Sequence, residues 1–147
     1  MTNYEWLKSI CGEQIKDSAW HDDLVLRVGQ ICNPNIHYRV NYIEEYINPA
    51  NIIGIDYGFV YNFNKDISWI YFLNNLRRFP EIRRKQHSFD SIVEHITSDK
   101  YDQKCVCKFG EKYFTFNGQH RMCLAKFMGL SSVKVLVHEY IENESVY

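Results

Sequence analysis

The sequence predicts an α+β domain in which helices flank a small mixed sheet and a helical region precedes it. Three observations indicate this class: a helical apolar stripe over residues 88–98, two strand-like segments on either side of Gly110-Glu111, and a helix-like segment after Gly118 followed by alternating valines. The resulting order is helix, strand, strand, helix and strand. Such an order is typical of α+β proteins.

Length and composition favour one domain over residues 1–147. With 147 residues and 46% hydrophobic residues the chain can bury a single core, and it contains no stretch that reads as a linker. Within this domain we distinguish a mainly helical N-terminal region, residues 1–87, from a C-terminal unit, residues 88–140.

Charge and cysteine content limit the expected partners. The net charge is −1, so the chain as a whole does not attract a polyanion, and specific DNA binding is not expected. Residues 1–20 lack the pattern of a signal peptide or membrane anchor, which predicts a cytoplasmic protein without a membrane partner. The five cysteines are therefore expected to be free thiols.

The N-terminal region gives weaker patterns. An amphipathic helix is predicted over residues 4–16, an element of ambiguous type over 24–28 and a turn at Asn33-Pro34-Asn35. We expect a short helix from Tyr42 to Ile47, stopped by Asn48-Pro49, and strand with turn from Ile52 to Phe63.

A further helix is predicted after Asp66 or Ser68, either of which is a suitable N-cap. It would carry Trp69 to Phe79 and end at Pro80.

The C-terminal unit has clearer boundaries. Ser88 is a suitable N-cap for a helix over 88–98, and Gly110-Glu111 suits a type II′ hairpin turn between two strands. The second strand ends at Asn117-Gly118, a helix over 119–128 stops at Gly129, and a final strand carries Val133, Val135 and Val137.

The strand-to-helix junction is the candidate site. The first amides of a helix have no intrahelical acceptor, the helix dipole favours an anion there, and Gly118 would allow a phosphate to approach the backbone. The predicted ligand-binding residues are Asn117, Gly118, Gln119, His120 and Arg121. Arg121 and His120 would add charge-assisted hydrogen bonds. The alternative is that Asn117 and Gly118 only cap the helix and that His120 and Arg121 are surface residues.

Residues 88–140 resemble the ParB/sulfiredoxin superfamily. The features that carry the resemblance are the helix before the hairpin, the Asn-Gly strand end, the Gly-x-His-Arg element, Ala125, Gly129-Leu130 and the valine-rich strand. The resemblance implies a ParB/sulfiredoxin-like fold that binds nucleotide phosphates through this element. The cofactor that it implies is a nucleoside phosphate with Mg²⁺, and the alternative is that the chain holds no cofactor.

The chain departs from the superfamily at two positions. Gln119 stands where sulfiredoxins have a catalytic cysteine and ParB proteins a glutamate, and Cys123 stands where ParB proteins have an arginine. An amide is neither a thiolate nucleophile nor a general base, so binding without turnover is the simpler expectation. An acid or base for phosphoryl transfer or nucleotide hydrolysis would have to come from Glu44, Glu45 or Asp56.

One basic cluster could support the anion. Its members are Arg77, Arg78, Arg83, Arg84 and Lys85. These residues could fold back toward Arg121, or they could form a solvated helix end whose charges suit the helix dipole.

Two other residue groups have ordinary structural interpretations. Cys105 and Cys107 share one side of a strand and are expected to be buried thiols without a metal, and His21-Asp22-Asp23 is expected to form a turn or helix cap.

A second function is compatible with the sequence. The 11 tyrosines and 9 phenylalanines would also suit a non-catalytic protein-binding module, such as an immunity or antitoxin protein that neutralises a toxic partner.

Overall fold

The computed structural model describes residues 1–28, 32–33, 37–56 and 66–142. Their strands form one six-stranded mixed sheet in the order β1-β3-β5-β4-β6-β2. The strands are β1 (Leu26–Arg27), β2 (His37–Ile47), β3 (Ile52–Ile55), β4 (Cys105–Phe109), β5 (Lys112–Asn117) and β6 (Val133–Glu142). The α+β class is therefore confirmed.

Five α-helices lie in the described residues. They are α1 (Asn3–Cys11), α2 (Trp69–Asn74), α3 (Phe79–Lys85), α4 (Phe89–Thr97) and α5 (Gln119–Phe127). None of them is long and apolar enough to cross a membrane.

The main core lies between the helices and one face of the sheet. Because successive residues of a strand point to opposite faces, Val133, Val135 and Val137 enter this core together while the residues between them do not. A smaller cluster of Cys107, Phe109 and Phe114 lies on the opposite face. The sheet thus packs on both faces near β4 and β5.

The C-terminal unit follows the prediction closely. Ser88 caps α4 through a hydrogen bond to the Ser91 amide, β4 and β5 form the antiparallel hairpin, and α5 runs from Gly118 to its C-cap at Met128. Beyond this C-cap, the Leu130 N–H donates to the Ala125 carbonyl, which closes the helix end. Strand β6 then joins the same sheet beside β4.

The N-terminal region is mixed rather than mainly helical, because three of the six strands lie within residues 1–87. The predicted helix over Tyr42–Ile47 is wrong: these residues belong to β2, which pairs with β6 along its length. Helix α1 ends earlier than predicted, at Cys11, and the ambiguous segment over 24–28 contains β1. The turn at Pro34-Asn35 and the residues from 57 to 63 lie outside the described residues.

The predicted long helix from Trp69 to Phe79 is two helices. Ser68, one of the two predicted N-caps, caps α2 by accepting the Tyr71 backbone N–H, but α2 ends at Asn74. Pro80 then lies in the first turn of α3 instead of ending a helix. Proline is well tolerated at that position because its missing N–H would have no intrahelical acceptor.

Candidate functional site

Gly118 forms the junction between β5 and α5. Its φ of 76° lies in the left-handed region, which residues other than glycine rarely adopt. A Cβ atom at this position would lie 3.0 Å from Lys104 Cγ and 3.2 Å from Arg121 Nη2. The backbone here is therefore packed directly against two cationic side chains.

Arg121 is buried at this junction, with 7% of its surface exposed. Its Nη2 donates to the Asp102 backbone carbonyl, and its guanidinium lies over the Tyr101 ring at 5.6 Å from the ring centre. Its Nη1 is buried and has no hydrogen-bond partner among the described residues. Burial lowers the pKa of Arg121, although the neighbouring Asp102 carboxylate opposes that shift.

Lys104 and His95 lie beside Arg121. Lys104 is 6% exposed, and burial followed by the charge of Arg121 lowers its pKa. The Nδ1 atom of His95 is buried without a partner in the described part of the chain, and its ring lies 4.8 Å from that of Tyr101. We call these four residues the Arg121 cluster: His95, Tyr101, Lys104 and Arg121.

Neither cation of this cluster has a carboxylate within 4 Å in the described ranges, although the exposed Asp102 and Asp99 act on Arg121 and Lys104 from a greater distance. The ion pairs within the described ranges are Lys8–Asp17, Lys108–Glu139 and Lys134–Glu44, and none involves Lys104 or Arg121. Buried charges in proteins are normally paired, because an unpaired charge loses its hydration without compensation. The cluster therefore holds an excess of buried positive charge.

A cavity of about 200 Å³ adjoins the cluster. Lys104, Tyr101 and Asp102 form part of its wall, together with Lys134, Asp99 and Glu44. Lysines and acidic residues thus line the same small space, whereas Gly118, Arg121 and the rest of α5 do not form part of its wall.

Gln119 uses its side-chain amide within the protein. The Nε2 atom donates to the carbonyls of Asp56, at 3.3 Å, and Thr115, at 3.4 Å. These carbonyls lie at the carboxyl ends of the parallel strands β3 and β5. Gln119 therefore connects the first turn of α5 to the carboxyl ends of β3 and β5.

Asp56 is the one of the three proposed acid or base residues with a contact to the motif. Burial raises the pKa of its carboxyl group, and Cys107 Sγ lies 3.9 Å from Oδ2. Glu44 instead pairs with Lys134 and accepts from Gln103 at 3.2 Å, and Glu45 lies opposite Val135 in the sheet.

His120 is neutral near pH 7, contrary to the expectation that it adds positive charge. Burial, followed by the charges of Arg78 and Arg77, lowers its pKa to about 4. Its Nε2 accepts a hydrogen bond from the Arg78 backbone N–H at 3.2 Å. The ring therefore joins α5 to the segment between α2 and α3.

Asn117 also has an internal partner. Its Nδ2 donates to the Gln103 carbonyl at 2.6 Å, which holds the end of β5 against the residues that precede β4. Of the five predicted site residues, Gly118 and Arg121 belong to the region of excess positive charge.

The basic cluster is divided in the structure. The charges of Arg78 and Arg77 help to lower the pKa of His120, and the charge of Lys85 helps to lower the pKa of His95. Arg83, Arg84 and Lys85 are exposed in the last turn of α3, where cations suit the helix dipole.

Sequence reasoning missed His95, Tyr101 and Lys104. The hairpin register offered one way to find Lys104, because Cys105 lies opposite Asn117 and the residue before it must therefore approach Gly118. No comparable pattern marks His95 or Tyr101, which reach Arg121 through the tertiary fold.

The remaining candidates have structural surroundings. Cys105 and Cys107 are buried free thiols, and the described residues contain no group of side chains that could hold a metal ion. His21 is buried against the rings of Trp20, Tyr4 and Phe127. It lies in a short 3₁₀ helix, close to the predicted turn or cap.

Comparisons of the chain with protein-family models, with curated proteins and with solved structures found no match.

Proposed function

We propose that this protein binds a phosphate-containing ligand, such as a nucleoside phosphate with Mg²⁺, at the N-terminus of α5. The observation that carries the proposal is that two buried cations, Lys104 and Arg121, lie beside Gly118 with no carboxylate within 4 Å among the described residues. The order of elements over residues 88–140 supports a ParB/sulfiredoxin-like fold as the scaffold.

An anion would relieve the cost of this arrangement. Arg121 Nη1 is a buried donor without an acceptor, and leaving such a donor unsatisfied costs about 1–3 kcal/mol. A phosphate oxygen is a strong acceptor for a guanidinium, and the first-turn amides of α5 with the helix dipole favour the same charge. The two cations, the dipole of α5 and the unsatisfied donor Arg121 Nη1 therefore all favour an anionic ligand.

The adjoining cavity limits what the ligand can be. A volume of about 200 Å³ suits a phosphate group, whereas sites for whole drug-sized molecules measure roughly 300–1,000 Å³. A nucleoside would therefore extend beyond this space. The Asp99 and Asp102 carboxylates on the wall favour a phosphate that carries Mg²⁺, because this ion commonly binds one or two carboxylates together with substrate phosphates.

The partners of Gln119 and His120 favour binding over turnover. The side-chain N–H groups of Gln119 donate to two backbone carbonyls. His120 is neutral and accepts a hydrogen bond from the Arg78 N–H. Phosphoryl transfer or nucleotide hydrolysis would need a carboxylate at the ligand, and Asp56 is the candidate whose backbone contacts the motif.

Thermal unfolding in the presence of phosphates tests the proposal. Inorganic phosphate, ATP, ADP, CTP and GTP, each with and without Mg²⁺, should include a ligand that raises the thermal midpoint. A ligand that binds only the folded state stabilises it by about 2.7 kcal/mol at a hundredfold excess over its dissociation constant.

Lys104→Met is the most informative variant. It keeps the buried aliphatic stem, removes the charge and should abolish most of the ligand-induced shift. Arg121→Ala would also remove the bond to the Asp102 carbonyl, so its loss of response would be harder to separate from a change in fold. Lys16→Met makes the same substitution at an exposed lysine and should respond like the native protein. A panel without any shift, or a full shift in Lys104→Met, rules out the phosphate site.

The protein-binding alternative would use a different surface. The exposed tyrosines Tyr38, Tyr42 and Tyr46 lie on β2, whereas the Arg121 cluster lies at the N-terminus of α5. The two surfaces meet at Glu44, which lies on β2 and also lines the cavity beside Lys104.

A further inference from the structure

Exposed apolar side chains are concentrated on one part of the sheet. Ten large hydrophobic residues are exposed in the described ranges, and six of them lie on β2 or on its neighbour β6. They are Tyr38, Val40, Tyr42, Ile43, Tyr46 and Ile141. The register with β6 divides them between the two faces: Tyr42 and Tyr46 lie opposite His138 and Lys134, whereas Ile43 lies opposite Val137 and Tyr38 opposite Ile141, on the face of the core valines. Tyr42 and Tyr46 are therefore the members of this group on the face that points away from the core, where uncovered apolar side chains can mark an interaction surface.

The free edge of β2 is not suited to the addition of another strand. The pairing register with β6 shifts between Arg39 and Asn41, which is the sign of a β-bulge at Val40. Bulges and charged residues protect sheet edges against edge-to-edge association. The face of the β2–β6 pair is the better candidate for an interface.

The register defines which residues share this face. The valines of β6 point into the core, so the residues between them point outward, together with the β2 residues opposite them. Three successive rows of this open face are Arg39–Tyr140, Tyr42–His138 and Glu44–Leu136.

The central row is a stacked pair. The rings of Tyr42 and His138 lie 5.6 Å apart with an interplanar angle of 26°, and Tyr42 is 60% exposed. Arg39 lies over the Tyr42 ring at 5.3 Å and has no carboxylate within 4 Å in the part of the chain that the structure describes. Glu44 is also exposed and pairs with Lys134 at 3.3 Å.

We infer that the open face binds the same face of a second copy of this chain, about a two-fold axis through the Tyr42–His138 row. This axis lies midway between the two packed sheets, parallel to them and perpendicular to their strands. The strands of the second copy therefore run in the opposite direction to those of the first. The Arg39–Tyr140 row then faces the Glu44–Leu136 row of the second copy. Each interface contains two Arg39–Glu44 contacts and two Tyr140–Leu136 contacts, and Tyr42 faces Tyr42.

The geometry of packed sheets permits these contacts. Neighbouring rows are two residues apart on β6, and the bulge adds one residue between Arg39 and Tyr42 on β2, so each outer row lies about 7 Å from the axis. Packed sheets are rotated relative to each other by about 30°. The rotation displaces the facing rows sideways by about 4 Å, a distance that arginine and glutamate side chains can span. The face is roughly 30 Å long and roughly 10 Å wide, which places the interface at the small end of the known range and predicts weak, concentration-dependent dimerisation.

Sedimentation velocity across the micromolar range tests the inference. The native protein should pass from 17.6 kDa to twice that mass as its concentration rises. Arg39→Glu opposes Glu44 in both contacts, and Glu44→Arg opposes Arg39, so each variant alone should lose at least about tenfold in association constant. Arg84→Glu makes the same charge change on exposed α3 and should dimerise like the native protein.

An equal mixture of Arg39→Glu and Glu44→Arg should dimerise again. In the heterodimer one contact joins the new glutamate to the new arginine, and the other joins the native Arg39 to the native Glu44. Recovery in the mixture also demonstrates that both variants are folded. A native protein that stays monomeric, an Arg39→Glu variant that dimerises fully, or a mixture that stays monomeric overturns the inference.

Discussion

The two ends of α5 hold cations with different partners, the partly buried Lys126 at the C-terminal end and the buried Arg121 at the N-terminal end. At the C-terminal end, Lys126 Nζ donates to the carbonyls of Ala50, at 3.2 Å, and Ile52, at 2.8 Å, and lies over the rings of Trp20 and Trp69. At the N-terminal end, Arg121 keeps an unpartnered Nη1 within the described structure.

The difference separates a structural cation from one that is available to a ligand. Lys126 lies near the negative end of the helix dipole and has its donors and its charge compensated by the protein. Lys104 and Arg121 lie near the positive end, where their charges add to the dipole instead of opposing it. Burial lowers the pKa of Lys126 and of Lys104 alike, so the partners rather than the burial distinguish them.

The largest expected effect is on stability at the C-terminal end. Lys126→Met should lower the free energy of unfolding by about 3 kcal/mol, because two carbonyls lose a charged donor and two indole rings lose a cation. Urea denaturation of the purified variant measures the loss. Lys104→Met, the same change at the other end of α5, should cost less than about 1 kcal/mol without ligand. Equal losses in the two variants would contradict the comparison.

A smaller effect is expected from the titration of His120. Its folded pKa of about 4 lies below the ordinary value of 6.5, so the unfolded chain takes up a proton first as the pH falls. The stability contributed by neutral His120 is present above pH 6.5 and declines as the pH falls toward 4. Between pH 7 and pH 5 this group should account for a loss of about 2 kcal/mol.

His120→Gln keeps an acceptor for the Arg78 amide but does not titrate. Urea denaturation at pH 7 and pH 5 should give a smaller difference for this variant than for the native protein. Identical pH dependence in both proteins would show that His120 is not desolvated as the structure indicates. Asp17 does not confuse the comparison, because the bonds from Tyr4 and Lys8 hold its pKa below 3.8.

The smallest expected effect is the stability difference that results from the close packing of Lys104 and Arg121 around Gly118. Gly118→Ala and Gly129→Ala both place a side chain at positive φ, which costs about 1–2 kcal/mol. A Cβ at Gly129 meets open space, whereas one at Gly118 meets Lys104 and Arg121. Gly118→Ala should therefore be the less stable by about 1 kcal/mol in thermal or urea unfolding. Equal stability of the two variants would indicate that the cations can move away.

Local sequence patterns were sufficient for the C-terminal unit. Ser88 caps α4 by bonding an amide three residues away, and the hairpin forms around the adjacent Gly110-Glu111. These interactions join near neighbours, so residue type and spacing identify them.

The N-terminal region depends more on distant partners. The apolar spacing of Tyr42 to Ile47 fits a helix, yet these residues form β2 because β6, about 90 positions later, supplies their hydrogen-bonding partners. Pro80 is compatible both with the end of one helix and with the start of the next, and the tertiary structure has the latter.

For the candidate site, the sequence by itself determined the strand-to-helix junction, the glycine at its N-cap and the presence of Arg121 in the first turn. Only the tertiary structure decided that His120 is neutral, that Gln119 binds backbone carbonyls, and that Lys104 and His95 surround Arg121. The physical reason is that helix boundaries depend on hydrogen bonds between near neighbours, whereas charge state depends on burial and on groups brought together from distant parts of the chain.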